Sequence, residues 1–516
     1  MVTELLPFEQ TGSFSKIFLD YVNGDPKLAH TYAFKPSLQG FESALAHRKF
    51  PKKNREVLVK VLREQYEQGE FAPNIKSNIE LLSGDNTYTV TTGHQLNIFT
   101  GPLFFIYKIL TTINLARTLA KEYPEYNFVP IYWMASEDHD FAEIDHVFVE
   151  GEKHTWETDQ TGAVGRFNTD GLVELSEAIG GRIEIFKKAY ANGATLADAV
   201  RMYVSDLFAE FGVVVLDADD ARLKALFKNV IKDDLMHHEA YQSVSKRSQH
   251  LVDEGYRPQI NPREINLFYL HDAMRSRIVR SGDRFQILDS EINYSEEEIL
   301  SLVDSNPEMF SPNVILRPLY QETILPNLGY VGGPAELAYW LQLKEMFDQY
   351  KVDFPVLMPR NFGLYLTNNI QRKVDKLQLS SEHLFQNLDQ LKQTFVHQHL
   401  NGEMELSTEM EEIQATYEKV AELAADVDKT LAPYVHAEAQ KAKKSLESVV
   451  AKMMKAEKRK REDEMRMLTQ INEFVFPGGT LQERRENILS VHNMEFIQEL
   501  AEITDPFALS FNIYKE

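Results

Sequence analysis

The fold is decided by a stretch that reads, from residue 87 to residue 140, TYTVTTGHQLNIFTGPLFFIYKILTTINLARTLAKEYPEYNFVPIYWMASEDHD. Its first part, TYTVTTG (87–93), is rich in β-branched residues and ends at a glycine, which is typical of a strand that leads into a turn. Residues 103–122 have the apolar spacing of a helix. NFVPIYWMAS (127–136) is a near-continuous apolar run, as expected for a parallel strand that is buried on both faces. The stretch therefore predicts a β-α-β unit.

The same alternation returns further along the chain. FGVVVLDADD (211–220) resembles a second buried strand and precedes a helical stretch, and residues 327–347 and 354–360 complete a further strand, helix and strand. Units that alternate at this length predict an α/β fold with a doubly wound parallel sheet and right-handed crossovers. The helical residues 15–80 would lead into this core, and the segments 150–205 and 221–300 would be insertions on it.

The composition argues against several classes of function. The chain has 516 residues and a net charge of −23, which repels nucleic-acid backbones and anionic membranes, so we expect neither as a partner. It contains no cysteine, so thiolate nucleophiles are excluded and a zinc site would depend on histidine and carboxylates. The N-terminus is acidic where a signal peptide is basic, and no apolar run approaches the roughly 18 residues of a membrane span. We expect a cytoplasmic protein.

Beyond residue 375 the sequence becomes helical and charged. Apolar residues alternate spacings of four and three over residues 406–431, which is the pattern of a coiled-coil seam. Pro433 interrupts this seam, and a similar one resumes over residues 439–456. The pattern predicts two long helices that form a hairpin. The expected organisation is a core at 1–375, a coiled-coil domain at 376–475 and a C-terminal segment at 476–516 that returns to the core.

Three loops follow predicted strands and precede helices, so they should gather at the carboxyl edge of the sheet, where ligands of such sheets bind. In the first loop, Gly93 and Gly101 permit close approach of the backbone, and the amides that begin the next helix favour an anion such as phosphate. A purely structural turn is an equal alternative, since the Walker spacing is missing. The candidate ligand-binding side chains of this loop are His94, Gln95, Asn97 and Thr100.

The second loop is the acidic end of the quoted stretch. Its carboxylates could hold an ammonium group or a hydrated magnesium ion, and its histidine could carry a proton. The alternative is that acidic residues only stabilise the start of a helix. The candidate residues here are Trp133, Glu137, Asp138, His139 and Asp140.

The third loop, YVGGPAELAYW (330–340), again predicts backbone amides at a helix start on the same edge, although a simple strand-to-helix turn is the more common explanation of such a glycine pair on its own. Upstream of it lies an arginine, the natural partner of a carboxylate or phosphate, although structural ion pairs are as common. Together the three loops predict a site for a phosphorylated or carboxylated small molecule, with an acidic wall. The candidate residues from this part of the chain are Arg317, Gln321, Gly332, Gly333, Glu336 and Tyr339.

Five blocks of sequence resemble the BshC family, the cysteine-adding enzymes of bacillithiol biosynthesis. They extend in the family's order from about residue 80 to the C-terminus and read TGHQLNIFTGPLFFIYKI, PIYWMASEDHDFAEIDHV, GYRPQINPREINLFYL, FSPNVILRPLYQETILPNLGYVGGPAELAYW and FPGGTLQER. The resemblance implies a Rossmann-like core related to class I nucleotidyltransferases, with inserted connecting segments. It also implies an antiparallel coiled coil that forms a homodimer.

The resemblance further implies a ligase that joins L-cysteine to glucosaminyl malate by an amide bond. Chemically, such a reaction needs an activated cysteine carboxylate, for which we expect ATP, and magnesium could assist the activation. The candidate catalytic residues are then Asp138, His139, His94 and Arg317, and no residues are assigned to a resident metal site. The chain departs from the family's usual pattern at His94, where a glutamine is common, and at Ala335, where a glycine is common. The first departure leaves the role of His94 as a base open.

On this interpretation loop 93–102 holds phosphates, residues 137–140 hold an amine or magnesium, and Arg317 meets a carboxylate. Two other functions fit the sequence. One is another ATP-dependent ligase or nucleotidyltransferase of the same superfamily, which would prefer a different amine acceptor. The other is a non-catalytic nucleotide-binding adaptor that recruits partners through its coiled coil and for which the crevice side chains would be dispensable.

Overall fold

The computed structural model describes residues 1–180, 184–399, 406–491 and 495–516. It divides into two compact units. The first comprises Met1–Tyr365 and Leu481–Tyr514, and the second comprises Leu366–Thr480 with Lys515–Glu516. Within the described residues, no helix combines the length and the apolar character needed to cross a membrane.

The described strands are β1 (Val2–Leu6), β2 (Thr87–His94), β3 (Asn127–Met134), β4 (His146–Val149), β5 (Glu152–Thr155), β6 (Val214–Asp217), β7 (Leu267–His271), β8 (Met274–Ser281), β9 (Arg284–Ile287), β10 (Asn293–Ser295), β11 (Phe310–Pro312), β12 (Asn327–Gly332), β13 (Val356–Pro359), β14 (Phe362–Leu366) and β15 (Phe511–Lys515).

The described α-helices are α1 (Lys16–Val22), α2 (Leu38–His47), α3 (Lys52–Gln65), α4 (Pro73–Leu81), α5 (Phe104–Glu122), α6 (Leu172–Ala178), α7 (Glu184–Asn192), α8 (Leu196–Leu207), α9 (Ala221–Ala225), α10 (Lys228–Met236), α11 (Glu239–Asp253), α12 (Glu296–Ser305), α13 (Leu316–Ile324), α14 (Pro334–Trp340), α15 (Lys344–Tyr350), α16 (Asn368–Lys376), α17 (Leu388–His399), α18 (Ser407–Val427), α19 (Leu431–Lys460), α20 (Glu462–Val475) and α21 (Phe496–Ile503).

The centre of the first unit is a five-stranded sheet of order β13-β12-β2-β3-β6. All four pairings are parallel, and α5 connects β2 to β3 as the quoted stretch predicts. The strand order reverses between β2 and β12, which is the topological switch point of a doubly wound sheet. The predicted Rossmann-like α/β fold is therefore confirmed.

The pairing register brings three strand ends to one edge. β2 pairs with β3 from Thr87 opposite Asn127 to His94 opposite Met134, without a shift. On its other side, Thr92 of β2 lies opposite Val331 of β12. The loops after β2, β3 and β12 therefore emerge together at the carboxyl edge.

The buried faces of this sheet explain why its strands form. Every residue of β3 from Phe128 to Met134 is buried, so an apolar side chain is needed at both odd and even positions. On one face, Val90 and Val331 pack with Leu115 and Leu119 of α5 in a common cluster. Full burial of each such aliphatic side chain contributes about 1.5–3 kcal/mol.

Two further sheets flank the core. The insertion before β12 contains a sheet of order β10-β9-β8-β7-β11, whose strands pair antiparallel. A three-stranded sheet of order β1-β15-β14 joins the beginning and the end of the chain to the strand that follows β13. Leu481–Tyr514, the larger part of the C-terminal segment, belongs to the first unit.

The second unit contains the predicted hairpin, in which α18 and α19 pack together. Glu418 and His436, on opposite sides of the turn, approach to 3.9 Å, which makes the two helices antiparallel. The chain turns at residues 428–430, and Pro433 lies in the first turn of α19 rather than at the break. A proline is tolerated there because a first-turn amide has no partner within the helix.

Candidate active site

The switch point places a buried lysine between two predicted loops. Lys108, one turn into α5, donates to the Gly93 carbonyl oxygen (2.7 Å) and pairs with Glu336 Oε2 (2.6 Å). Glu336 also accepts from the Gly333 amide (2.8 Å) and the Tyr330 hydroxyl (2.7 Å). Burial alone would raise the pKa of Glu336, but the Lys108 ammonium and these hydrogen bonds hold it below its usual value. Lys108 therefore ties the end of β2 to the start of α14.

His94, the last residue of β2, lies beside this pair. Its ring packs near Phe104 and Phe105, with centroids 5.1 and 5.5 Å away. Burial, reinforced by the Lys108 ammonium, lowers the pKa of His94 to about 3. Its Nε2 is buried without a hydrogen-bond partner among the described residues. A neutral imidazole of this kind is a poor general base at neutral pH but can still form a hydrogen bond with a ligand.

Arg317 of α13 is a cation of the crevice that hydrogen-bonds to neutral side chains. Its Nη1 donates to Gln321 Oε1 (2.9 Å) and its Nη2 to the Tyr339 hydroxyl (3.3 Å). Its guanidinium lies over the rings of Trp133 (5.9 Å) and Tyr330 (5.7 Å). No carboxylate of the described residues forms an ion pair with it. A guanidinium that lies between aromatic rings and has no charged partner among the described residues suits a carboxylate or phosphate.

Gly93 lies beside this guanidinium. A side chain at Gly93 would begin 3.7 Å from Arg317 Nη1, so glycine leaves the cation open towards the strand end. On the far side, Gly333 would direct a side chain to within 3.8 Å of Arg360 Nε, while a side chain at Gly332 would press against Leu337 at 3.1 Å. Gly93 and Gly333 therefore lie where the backbone borders the cations, whereas Gly332 faces Leu337 and Gly101 faces Asn97.

Arg360 follows β13 directly and is a second arginine at this edge of the sheet. Its Nη1 and Nη2 donate to the two oxygens of Glu483, at 3.0 and 2.6 Å. Both side chains are almost fully buried, at 2% and 1% exposure. The guanidinium lies over the rings of Phe362 (4.1 Å) and Phe104 (5.2 Å). Glu483 belongs to the C-terminal segment, which thereby fixes a side chain at the carboxyl edge.

An acidic cluster lies after β3, next to the switch point. Asp138 accepts from Gln95 Nε2 (3.0 Å) and from the His139 amide (2.8 Å), and Gln95 Nε2 also contacts Glu143. Burial opposes ionisation of Asp138, but its hydrogen bonds with His139 and Gln95 and the charge of Arg275 hold its pKa well below the usual value. Asp138 is therefore a stable carboxylate that could face a cation.

An arginine from the insertion, Arg275, contacts the ring of His139. Arg275 Nη1 donates to His139 Nδ1 (2.8 Å), while its guanidinium stacks on Phe268 at 4.0 Å. Since arginine only donates, Nδ1 must accept, and the proton of the neutral ring lies on Nε2. The side chain is 44% exposed, so the ring is accessible to a substrate.

The other two acidic residues of this loop have different surroundings. Glu137 pairs with Lys224 Nζ at 2.7 Å, and Lys224, which is fully buried, also donates to the Phe310 carbonyl oxygen (2.8 Å). Burial raises the pKa of Glu137. Asp140 is exposed, and its amide donates to Asp138 Oδ1 (3.4 Å). Glu137 thus anchors the loop inside the protein, and Asp140 lies on its surface.

The remaining candidates of the first loop are enclosed by the protein. Asn97 and Thr100 are 7% and 1% exposed. Asn97 Nδ2 donates to the Glu143 carbonyl oxygen (3.0 Å), and Asn487 Nδ2 donates to the Gly101 carbonyl oxygen (2.5 Å). These contacts shape the loop.

The backbone amides of the same loop are also engaged. The Phe99 amide donates to the Tyr190 hydroxyl (2.8 Å), and the Leu103 amide, just before α5, donates to the Glu486 carbonyl oxygen (2.8 Å). A phosphate at this edge would therefore depend on side chains, mainly Arg317 and Lys108, more than on these amides.

The structure brings most predicted residues to one edge in two neighbouring groups, joined through the adjacent residues His94 and Gln95. It adds five residues that the sequence interpretation did not single out: Lys108, Glu143, Arg275, Arg360 and Glu483. Arg360 could have been found, because it too follows a predicted strand directly. Lys108 resembles an ordinary helix lysine in sequence, and Arg275 comes from an insertion whose docking no local pattern indicates.

Comparisons with known proteins agree with this architecture. Residues 1–361 match the model of the N-terminal Rossmann-like domain of bacillithiol biosynthesis BshC, and residues 363–516 match that of its C-terminal coiled-coil domain. Relatives named "Putative cysteine ligase BshC" include proteins of Cytophaga hutchinsonii (42% identity, 99% of this chain and 98% of the relative), Flavobacterium johnsoniae (39%, 99% of each) and Flavobacterium psychrophilum (38%, 100% of each). The family models and these relatives span the whole fold and the crevice, and the chain belongs to the BshC family.

Proposed function

We propose that this chain is a ligase of bacillithiol biosynthesis, which joins L-cysteine to glucosaminyl malate after a nucleotide has activated the cysteine carboxylate. One observation carries the proposal. Arg317, whose guanidinium has no carboxylate partner among the described residues, lies beside Gly93 at the end of β2, and the ionised carboxylate of Asp138 lies in the loop that follows the neighbouring strand β3. The two substrates together present carboxylates and amines, which such a pair of walls would bind.

The cationic wall would hold the negative groups. Arg317 is free to bind the carboxylate of cysteine or malate with two parallel hydrogen bonds. The charges of Lys108 and Arg360 are already neutralised by Glu336 and Glu483. The two side chains would therefore donate hydrogen bonds to a phosphate but would add little net positive charge. His94, being neutral, would contribute a hydrogen bond from its free Nε2.

The acidic wall would hold the positive groups. Asp138 and Glu143, both in contact with Gln95, would accept an ammonium group or the water shell of a magnesium ion. His139 would donate a hydrogen bond from Nε2 to a substrate oxygen, because its Nδ1 accepts from Arg275 and the proton of the ring therefore lies on Nε2.

The proposed reaction has two steps, activation of the carboxylate and formation of the amide bond. In the first, an oxygen of the cysteine carboxylate attacks a phosphorus of ATP, forming an acyl phosphate with release of ADP, or an acyl adenylate with release of pyrophosphate. In the second, the sugar amine attacks the acyl carbon and releases phosphate or AMP, while the amine proton passes to the departing phosphate group or to solvent. The residues of the crevice mainly align and neutralise the reactants.

The test is mass spectrometry of the purified protein with cysteine, glucosaminyl malate, magnesium and ATP, following thiol and nucleotide products together. Bacillithiol with an equal amount of ADP or AMP is the expected result. Substituting other amines for glucosaminyl malate distinguishes this ligase from a relative with another acceptor. Nucleotide binding without any product, for every amine, would favour the adaptor function.

The proposal includes a homodimer formed through the coiled coil and a cytoplasmic location, where ATP and reduced cysteine occur together. The hairpin exposes large apolar side chains near its turn, which favours a partner there. Their exposed fractions are 67% for Leu423, 81% for Val427 and 64% for Tyr434.

A further inference from the structure

A buried chain of hydrogen bonds lies behind Arg317. Arg317 Nη1 donates to Gln321 Oε1 (2.9 Å), and Gln321 Nε2 donates to Glu322 Oε1 (2.8 Å). Gln321 and Glu322 are 0% and 2% exposed, so water cannot replace either partner. Arg317 is thus connected to a carboxylate that lies outside the crevice.

The direction of these bonds is fixed by chemistry. A guanidinium only donates, so the oxygen of the Gln321 amide must face Arg317, and its nitrogen must then find an acceptor on the other side. Glu322 Oε1 is that acceptor. Without it, a buried amide nitrogen would be left unsatisfied, or the Gln321 amide would turn and present its nitrogen to Arg317.

The carboxylate is itself held from two sides. Asn327 Nδ2 donates to the same Oε1 (2.7 Å), and the Asn327 oxygen is engaged by the Thr91 hydroxyl (2.8 Å). Arg48 Nη2 lies 3.5 Å from Glu322 Oε2 and also donates to the Glu322 carbonyl oxygen (3.1 Å). The network therefore connects Arg48, Thr91 in the middle of β2 and Asn327 at the start of β12 to the crevice.

The geometry points to Glu322 as a positioning residue for Arg317. By fixing the Gln321 amide, Glu322 holds the guanidinium against Gly93 in the orientation that receives a substrate carboxylate. The inference rests on the proposed function only in the identity of that carboxylate. Neither Glu322 nor Gln321 would touch the substrate.

The kinetic test compares three variants. Glu322→Leu removes the acceptor and should raise the KM of the substrate whose carboxylate Arg317 binds by about tenfold or more, with little change in kcat. Gln321→Met breaks the same connection but leaves Glu322 paired with Asn327 and Arg48, so it should give the same increase even if the first variant folds poorly. Glu322→Gln keeps an oxygen in the place of Oε1 and should restore most of the affinity.

Two controls distinguish positioning from a loss of stability. Leu119→Ala removes a fully buried side chain of the core cluster and should lower the melting temperature without changing this KM. In an Arg317→Ala background, Glu322→Leu should change the KM no further. Additive effects of the two substitutions, or an unchanged KM in both Glu322→Leu and Gln321→Met, would overturn the inference.

A structural readout keeps this inference separate from the proposed function. If the wild-type protein forms no product, the proposed function fails, and crystal structures of Glu322→Leu and Gln321→Met still test the positioning. We expect the Arg317 guanidinium to leave its place beside Gly93 in both. An unmoved guanidinium would refute the role of Glu322 whatever the reaction is.

Discussion

Replacing Arg360 by methionine should destabilise the first unit strongly, because it leaves the carboxylate of Glu483 charged in the interior. The two side chains are 2% and 1% exposed and meet through two parallel hydrogen bonds of 2.6 and 3.0 Å. Glu483 would keep only the Gly363 amide (2.9 Å) among the donors that the structure gives it. Loss of one partner from a buried pair of this kind costs about 3–5 kcal/mol.

The assay is equilibrium unfolding in urea followed by circular dichroism, with two matched comparisons. Arg63→Met breaks an ion pair of the same fork geometry, with Glu80, but both side chains are more than half exposed, so we expect no resolvable change. The double variant Arg360→Met/Glu483→Gln removes both buried charges and should recover much of the loss, since an uncharged pair needs no counterion.

The reasoning would be refuted if Arg360→Met unfolded at the same urea concentration as Arg63→Met. It would also fail if the double variant were less stable than Arg360→Met, because the penalty would then not come from the uncompensated carboxylate. If Arg360→Met lost less stability than expected and the double variant recovered it, the buried carboxylate would still be the cause, but its free-energy cost would be smaller.

Three further predictions concern the crevice and the hairpin. The fold keeps His94 neutral, because its pKa is about 3 in the folded protein instead of 6.5. Its contribution to the free energy of unfolding is therefore complete above pH 6.5 and is lost as the pH falls towards 3. His94→Gln should make the fall of the urea midpoint over this range shallower. Asp138→Ala should lower kcat/KM of the ligase assay by about 100-fold with an unchanged circular dichroism spectrum, and full turnover would remove its assigned role. Leu423→Ser/Val427→Ser should convert a dimer into monomers in analytical ultracentrifugation at an unchanged melting temperature; a dimer that persists would place the interface elsewhere.

The sheet was predictable because its strands are buried on both faces. In β3 every position from Phe128 to Met134 needs an apolar side chain, and such a run has no other common explanation when a helix of regular spacing precedes it. The parallel order then determines which loops meet, so Gly93, Asp138 and Gly333 could be assigned to one edge before their contacts were known.

The contacts within that edge depend on residues far apart in sequence. Lys108 is buried because the Gly93 carbonyl oxygen and Glu336 surround it, and neither can be inferred from the helical pattern around it. Arg275 reaches His139 only because the antiparallel sheet of the insertion packs there. Side-chain pairing of this kind is a property of the assembled fold.

In the hairpin, the helices were predictable from the sequence but the position of the turn was not. Spacings of four and three predicted two helices, and the structure has them, but the break lies at residues 428–430. Pro433 was expected to cause the break. It lies instead in the first turn of α19, where its fixed φ is compatible with a helix. A proline therefore indicates that a helix begins nearby, without showing on which side of it the turn lies.

The C-terminal segment gives the crevice a wall that comes from outside the Rossmann-like sequence. The family models divide the chain between residues 361 and 363, yet the compact unit that contains the sheet also includes Leu481–Tyr514. Glu483 fixes Arg360, and the carbonyl oxygen of Glu486 receives the Leu103 amide just before α5. The block FPGGTLQER thus acts on the crevice through its glutamate. Substitutions at Glu483 or Glu486 should therefore alter ligand binding through Arg360 and the start of α5, although neither residue contacts the substrate.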